Sequence, residues 1–433
     1  MPAALHLGVD VGTSGVRAIA ITGGGEAVAE ARRPMPPPVA QDGVLAQDPE
    51  IWWQAAVETV RDVAGQTGPD QAGMGRIASI AVDGTSGTLL LADDAGRPLA
   101  PGRMYNDASG AALAPRIAGI APPESGAHGA TSPLARLLLL QPQHGTARHA
   151  LHQADWIAGR LLGRMGLSDE NNALKLGYDP VRRVWPGWLD ALGVRRELLP
   201  QVVAPGTALG PVTAEAAARL GLAPDCLVVA GTTDGCASFL ATGADRIGDA
   251  VTALGTTMTL KILGERPVFA PAYGVYSHRL GERWLVGGAS NTGGQALLRF
   301  LSPERMAALT PQLRPDRPTG LRWHPLPGTG ERFPVADPAL TFAPVPLPED
   351  ELTLFQGLLE GIAEVEARAY LLLRELGGPT LLSMRTVGGG AANPGWTAIR
   401  ASRLGVPMLR PASAEAAYGT ALLARQGWRE HMR

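Results

Sequence analysis

At 433 residues the chain exceeds what one ordinary hydrophobic core organises, and at roughly 100–200 residues per domain it predicts two or three domains. With 45% hydrophobic residues, 18% charged residues and a formal net charge of -2, it reads as a globular enzyme without the charge that would draw a nucleic acid partner. No apolar run approaches the ~20 residues of a membrane span and no basic leader precedes the first strand. Cys226 and Cys236 are too few for a disulfide framework, so the expectation is a cytoplasmic protein with reduced thiols and no membrane partner.

Leu5 to Ile21 predicts strand, glycine-rich turn and strand, since β-branched and apolar residues flank Gly12-Thr13-Ser14-Gly15. A second turn at Gly23-Gly24-Gly25 leads to a third strand over Glu26 to Arg33, so three antiparallel strands open the protein. Asp48 is a helix N-cap with Pro49 at the first helical position, and the helix carries Trp52, Trp53, Ala56, Val57 and Val60 at helical spacing. Ile77 to Val82 follows as a buried strand, then the polar loop Asp83-Gly84-Thr85-Ser86-Gly87 and a strand over Thr88 to Leu91. Three strands, a helix and a strand make a ribonuclease-H-like pattern rather than a regular βαβ repeat.

Residues 108–225 read as a helical, loop-rich insertion, with helices expected at Leu134 to Leu140 and Ala150 to Leu162. A second unit of the same plan begins near residue 244, with strands at Ala250 to Ala253, Met258 to Leu263 and Trp284 to Gly287. Arg314 to Pro348 reads as a surface excursion. A long amphipathic helix, Glu351 to Leu376, stops at Gly377-Gly378-Pro379. Leu381 to Val387 is a strand, and Ala414 to Gln426 a last helix. The expected architecture is α/β, with two ribonuclease H-like (actin-like ATPase) domains around a central cleft. They span 1–243 and 244–433, the last helix packing back on the first domain.

Four glycine-rich motifs carry the chemistry. In Asp10-Val11-Gly12-Thr13-Ser14-Gly15-Val16-Arg17 a hairpin turns backbone N–H groups and two hydroxyls toward one point, which suits phosphate, although glycine-rich turns are also the default hairpin chemistry. Asp10 ends an apolar strand, where a carboxylate is costly unless a cation offsets it, and a hydrated Mg²⁺ suits it. Gly255-Thr256-Thr257 repeats the loop in the second half. Between them Gly231-Thr232-Thr233-Asp234 joins a strand to a helix. Asp234 is either a helix-start residue favoured by the dipole or, set between two phosphate hairpins, a general base. After Leu381 to Val387, Gly388-Gly389-Gly390-Ala391-Ala392-Asn393 is either a tight turn or a place where missing side chains admit a purine and ribose. Lys175 and Lys261 are the only lysines and both follow leucine, which excludes the Gly-Lys-Ser/Thr of a P-loop. His128, His144, His149 and His152 lack ligand-like spacing and are assigned no metal.

In the order and spacing of these motifs, with Gln47-Asp48-Pro49-Glu50-Ile51-Trp52-Trp53, Asp83-Gly84-Thr85-Ser86 and Tyr105-Asn106-Asp107, the chain resembles the FGGY carbohydrate kinases of the actin, hexokinase and heat-shock ATPase superfamily. The resemblance implies ATP and Mg²⁺ as cofactors, with Asp10 associated with the metal through water. Gly12, Thr13, Ser14, Arg17, Gly255, Thr256 and Thr257 would serve the phosphates, and Gly389, Gly390 and Asn393 the adenosine. Asp234 would be the base, and Asp10, Thr85, Ser86, Asn106 and Asp234 the sugar contacts. Thr232-Thr233-Asp234-Gly235 departs from the glycine or glutamine expected near the base in xylulose and glycerol kinases, and the chain is short for the family. Both features are similar to the small plant and cyanobacterial-type members that act on D-ribulose. The implied reaction is phosphorylation of a small-molecule ketopentose at its terminal hydroxyl, in a protein expected to form a homodimer. The rival classes are a sugar- or nucleotide-binding regulator on the same fold and an ATPase that drives domain motion. The first is disfavoured by the lack of a DNA-binding helix-turn-helix at the N-terminus and by the presence of both Asp10 and Asp234.

Overall fold

The computed structural model describes residues 4–67, 75–345 and 347–433. They fall into two compact units: Met1–Ala241 with Arg279–Gly281 and Glu415–Arg433, and Thr242–His278 with Glu282–Ala414.

The first unit begins with the antiparallel strands β1 (Ala4–Val11), β2 (Gly15–Thr22) and β3 (Ala27–Pro34). Leu5, Leu7, Val9 and Val11 are all fully buried. Helix α1 (Pro49–Thr67) starts where the Asp48 carboxylate accepts the Glu50 N–H at 3.0 Å, and it buries Trp52, Trp53, Val57, Val60 and Val63 in the core that β1 also lines. Strand β4 (Arg76–Gly84) runs parallel to β1. Next come β5 (Leu89–Ala92) and β6 (His149–His152), which pair antiparallel. Sequence periodicity assigns Ala150 to Leu162 wholly to a helix, but its first residues are extended because Leu89–Ala92 supplies a pairing edge. Helix α2 (Gln153–Leu162) begins only after His152, whose N–H donates to Asp155 at 3.0 Å. Strands β7 (Ala208–Pro211) and β8 (Leu227–Val229) and helix α3 (Asp234–Ala241) follow. The sheet order is β7-β8-β4-β1-β2-β3, with β8, β4 and β1 parallel.

The second unit repeats that plan with β9 (Asp249–Leu254), β10 (Met258–Gly264), β11 (Tyr276–Leu280), β12 (Arg283–Ser290), helix α4 (Glu351–Glu375), β13 (Ser383–Val387), helix α5 (Pro394–Leu404) and β14 (Met408–Leu409). Its order is β11-β12-β10-β9-β13-β14. Strands β12, β10 and β9 are antiparallel, and β9, β13 and β14 parallel. Strand β12 runs past the expected Gly287 because both glycines there are packing positions. A Cβ on Gly287 would lie 2.7 Å from the Leu260 carbonyl, and one on Gly288 would lie 2.9 Å from the Phe333 ring. The stretch expected as a surface excursion in fact feeds the core. Leu326 and Phe333 are fully buried, and the Glu331 carboxylate accepts from the Ser290 hydroxyl at 2.6 Å and the Asn291 N–H at 2.8 Å. Pro346, within that stretch, lies outside the described residues.

Helix α6 (Ala416–His431) belongs to the first unit, where it packs on β1 and α3. A Cβ on Gly8 of β1 would sit 2.0 Å from the Ala417 carbonyl, and one on Gly419 would sit 2.0 Å from the Ala237 carbonyl. Only bare backbone fits at either crossing. Each unit is thus a ribonuclease H-like α/β layer structure. Among the described residues no helix is long and apolar enough to cross a membrane.

In the second unit Arg400 of α5 meets Glu366 of α4 through two parallel hydrogen bonds of 2.6 Å, and neither side chain is more than 1% exposed. Replacing Glu366 by Ala strands a buried guanidinium, and urea denaturation is expected to show a loss of about 3–5 kcal/mol. The double variant Glu366→Met with Arg400→Met should recover most of it.

Candidate active site

In the first unit the sheet itself assembles three carboxylates. Asp10 lies opposite Asp83 in the parallel register of β1 and β4. The pairing of β4 continues one step further as a bridge between Gly84 and Thr233, which sets Asp234, the first residue of α3, beside them. The Asp234 carboxylate accepts the N–H of Gly235 at 2.6 Å. Asp83 is completely buried; its Oδ2 accepts a close hydrogen bond from the Thr420 hydroxyl of α6, and its Oδ1 has no hydrogen-bond partner among the described residues.

Burial, then the Asp234 charge, raise the Asp10 pKa to about 6, against the opposing pull of its hydrogen bond with Asp83 and the charge of Arg17. Asp83 is held well above the ordinary carboxylate range by its burial first and by the Asp10 charge next. Both shifts run upward, so the strand pair resists carrying two negative charges.

The first hairpin closes with the Gly12 N–H donating to the Gly15 carbonyl at 3.0 Å, which leaves Thr13 and Ser14 at its tip. Arg17, across the hairpin from Asp10, is ion-paired to Glu415 at the start of α6. Thr85 is tied inward: its N–H and hydroxyl both donate to Gln153 Oε1, at 3.0 and 2.8 Å. The Ser86 hydroxyl has no partner, and Asn106 is exposed.

Two cations fix these loops. Arg136, fully buried, donates to the carbonyls of Gly87 at 2.8 Å, Thr131 at 2.9 Å and Met104, while Lys175 Nζ donates to the Ser86 carbonyl at 3.1 Å. Sequence reasoning missed Asp83, Gln153 and Arg136 as site residues. Arg136 left a signal, a single charge inside the otherwise apolar helix Pro133–Leu140.

In the second unit the Gly255 N–H donates to the Thr257 carbonyl at 3.1 Å, and the Gly294 N–H donates to the Gly255 carbonyl at 2.8 Å. Gly388 has φ +84°, and a Cβ there would meet the Leu254 carbonyl at 2.6 Å. A cavity of about 660 Å³ opens between these turns, and Gly255, Thr256, Gly389, Gly390 and Asn393 all line it. Its remaining walls, including Leu297, Met306, Phe355 and Trp396, are mostly apolar. The volume suits a nucleoside. Thr257 is not among the lining residues. The Asn393 amide is occupied at both ends, accepting from the Trp396 N–H at 2.9 Å and donating to Thr310 at 3.1 Å.

Among the described residues no group of three or more His, Cys, Asp or Glu side chains could hold a metal ion. The orphaned Oδ1 of Asp83 and the partly exposed Asp10 fit a Mg²⁺ that keeps its water and arrives with a nucleotide.

The N-terminal domain of the FGGY family of carbohydrate kinases matches residues 5–119, and its C-terminal domain matches residues 250–428. The chain belongs to the FGGY family. Among curated FGGY relatives, the xylulose kinase of Escherichia coli (strain K12) is 25% identical over 297 residues, 65% of this chain and 59% of that protein. The erythritol kinase of Brucella abortus (strain 2308) is 28% identical over 55% of this chain and 47% of its own length. The chain thus spans about three-fifths or less of the curated relatives it matches. Among solved structures, the xylulose kinase of Rhodospirillum rubrum is 25% identical with a TM-score of 0.84 over 98% of this chain and 90% of that one. The glycerol kinase of Plasmodium falciparum, solved with ADP, shares the fold at 16% identity and a TM-score of 0.85, covering 98% and 89%.

The raised Asp10 pKa has a thermodynamic consequence. A carboxyl that titrates near 6 when folded and near its ordinary 3.8 when unfolded weakens the folded state wherever it is ionised in both. That cost is on the order of 2–3 kcal/mol above pH 6; it shrinks as pH falls from 6 toward 3.8 and is absent below. Asp10→Asn should therefore raise the melting temperature at pH 7.5 and leave it nearly unchanged at pH 4, as read by calorimetry.

Proposed function

We propose that the protein is an ATP-dependent sugar kinase that phosphorylates the terminal primary hydroxyl of a ketopentose, D-ribulose to D-ribulose 5-phosphate, in the cytoplasm. The observation that carries this reading is the convergence of Asp10, Asp83 and Asp234 where three adjoining strands end. A phosphoryl acceptor needs one free carboxylate for its proton and little else from the protein beyond positioning.

Asp234 takes the proton from the attacking hydroxyl, its carboxylate oriented by the Gly235 N–H that it accepts at 2.6 Å. Thr85, Ser86 and Asn106 with Asp10 orient the sugar, Ser86 offering a hydroxyl with no competing partner. Gly12, Thr13, Ser14 and Arg17 on one hairpin, and Gly255, Thr256 and Thr257 on the other, meet the phosphates. Gly389, Gly390 and Asn393 border the adenosine in the apolar cavity. Asp10 would hold Mg²⁺ through water, and the bound metal would supply charge neutralisation for the transferred phosphoryl group. The curated xylulose kinase relative favours D-xylulose as a second reading, served by the same groups.

Two measurements test this. ADP release followed across D-ribulose, D-xylulose, L-ribulose, glycerol and common polyols should depend on the acceptor and be fastest with D-ribulose; release indifferent to every sugar overturns the kinase reading. Asp234→Asn should lower kcat by about 10²–10⁴ while the KM for the ketose moves only a few-fold. A variant with near-wild-type turnover removes Asp234 from the role of base.

A further inference from the structure

A second cavity of about 200 Å³ lies in the second unit, apart from the apolar one, and Thr259, Lys261, Tyr273, Tyr276, His278 and Arg332 line it. Thr259 and Lys261 alternate along β10 with Met258, Leu260 and Ile262, so they occupy the face turned away from the core those three fill. The cavity wall carries hydroxyls, a ring nitrogen pair and two basic side chains, and it carries no carboxylate.

The ammonium of Lys261, which is half-buried, and the guanidinium of Arg332 have neither ion pair nor side-chain hydrogen bond among the described residues, and the hydroxyls of Thr259, Tyr273 and Tyr276 are likewise unengaged. A partly buried cation without a counter-charge is costly unless a ligand supplies one. The Tyr276 and His278 rings are held against each other with centroids 5.2 Å apart, which gives the donors a firm wall. The floor is bare at Gly287, where a Cβ would stand 2.7 Å from the Leu260 carbonyl and 3.3 Å from Lys261 Cγ. No side chain fits there, so the space beside Lys261 stays open.

We propose that this cavity binds a small tetrahedral oxyanion, the phosphate group of inorganic phosphate or of a sugar phosphate monoester, with Lys261 and Arg332 neutralising it and Thr259, Tyr273 and Tyr276 donating hydrogen bonds. The volume is below that of pockets for drug-sized ligands, which excludes a nucleotide and suits a single phosphate with a short polyol. Its lining shares no residue with the apolar cavity, so the proposal stands or falls on anion binding rather than on turnover.

Calorimetric titration of the full chain with inorganic phosphate, and in a second arm with a ketose 5-phosphate, tests it. Saturable binding is expected, weakened by about tenfold or more in Lys261→Met and in Arg332→Gln. Lys261→Arg should bind within a few-fold of the parent. Tighter binding in the second arm identifies the monoester as the natural source, and equal binding identifies free phosphate. Should Lys261→Met melt below the parent without phosphate, Arg332→Gln, altered on an exposed side chain, carries the test. Absence of phosphate binding, or binding that both charge-removing variants retain, overturns the proposal.

Discussion

Much of the first unit depends on how closely helix α6 lies against β1. The approach is set by absence of atoms: Gly8 presents only backbone where a Cβ would stand 2.0 Å from the Ala417 carbonyl, and Gly419 does the same where α6 crosses α3 at the Ala237 carbonyl. Dispersion contact between two bare backbone surfaces is dense at that spacing, and no larger residue could reproduce it. Because the helix sits so low, Thr420 reaches Asp83 and the Tyr418 hydroxyl donates to the Gly25 carbonyl at 2.7 Å. A helix raised by one methyl group would leave the Asp83 carboxyl with no donor from that side.

The same closeness governs the electrostatics of the site. Three carboxylates in one small volume repel, and burial withholds the water that would screen them. Burial and mutual repulsion push Asp83 and Asp10 upward, so the cluster resists carrying the full charge its residue types suggest, while the hydrogen bond donated by the Thr420 hydroxyl offsets part of the cost of ionising Asp83. The loops beside it are treated oppositely. Arg136 and Lys175 gather backbone carbonyls, which shapes the loop without adding any anion near the acids.

Most of this scaffold was legible in the sequence because local signals and tertiary demands agree. The opening hairpin, the Asp48-Pro49 helix start, the glycine triplet and the long helix α4 each carry both a pattern and a cap. Two kinds of feature escaped. The run at His149–His152 looks helical by composition, and only the distant edge offered by Leu89–Ala92 makes it a strand. Asp83 was read as loop chemistry because its partners, Asp10 and Thr420, lie far from it in sequence, and no window of residues can display a register. A composition rich in proline and polar residues suggested a surface path for residues 314–348, yet Phe333 is buried over Gly288, a contact visible only once β12 is placed.

The seating of α6 also orders events in time. The hydrogen bond from Tyr418 to Gly25 joins residues 393 apart, so the surface of β1 around Gly8 stays uncovered until that much further chain has been made. Contacts of such separation slow folding, and a nascent sheet with a naked apolar face invites wrong partners. The second unit, drawn from one nearly continuous stretch, has no such dependence and can complete its core first. The acid cluster is therefore among the last features to form, since Thr420, the donor that steadies Asp83, arrives only with the late helix.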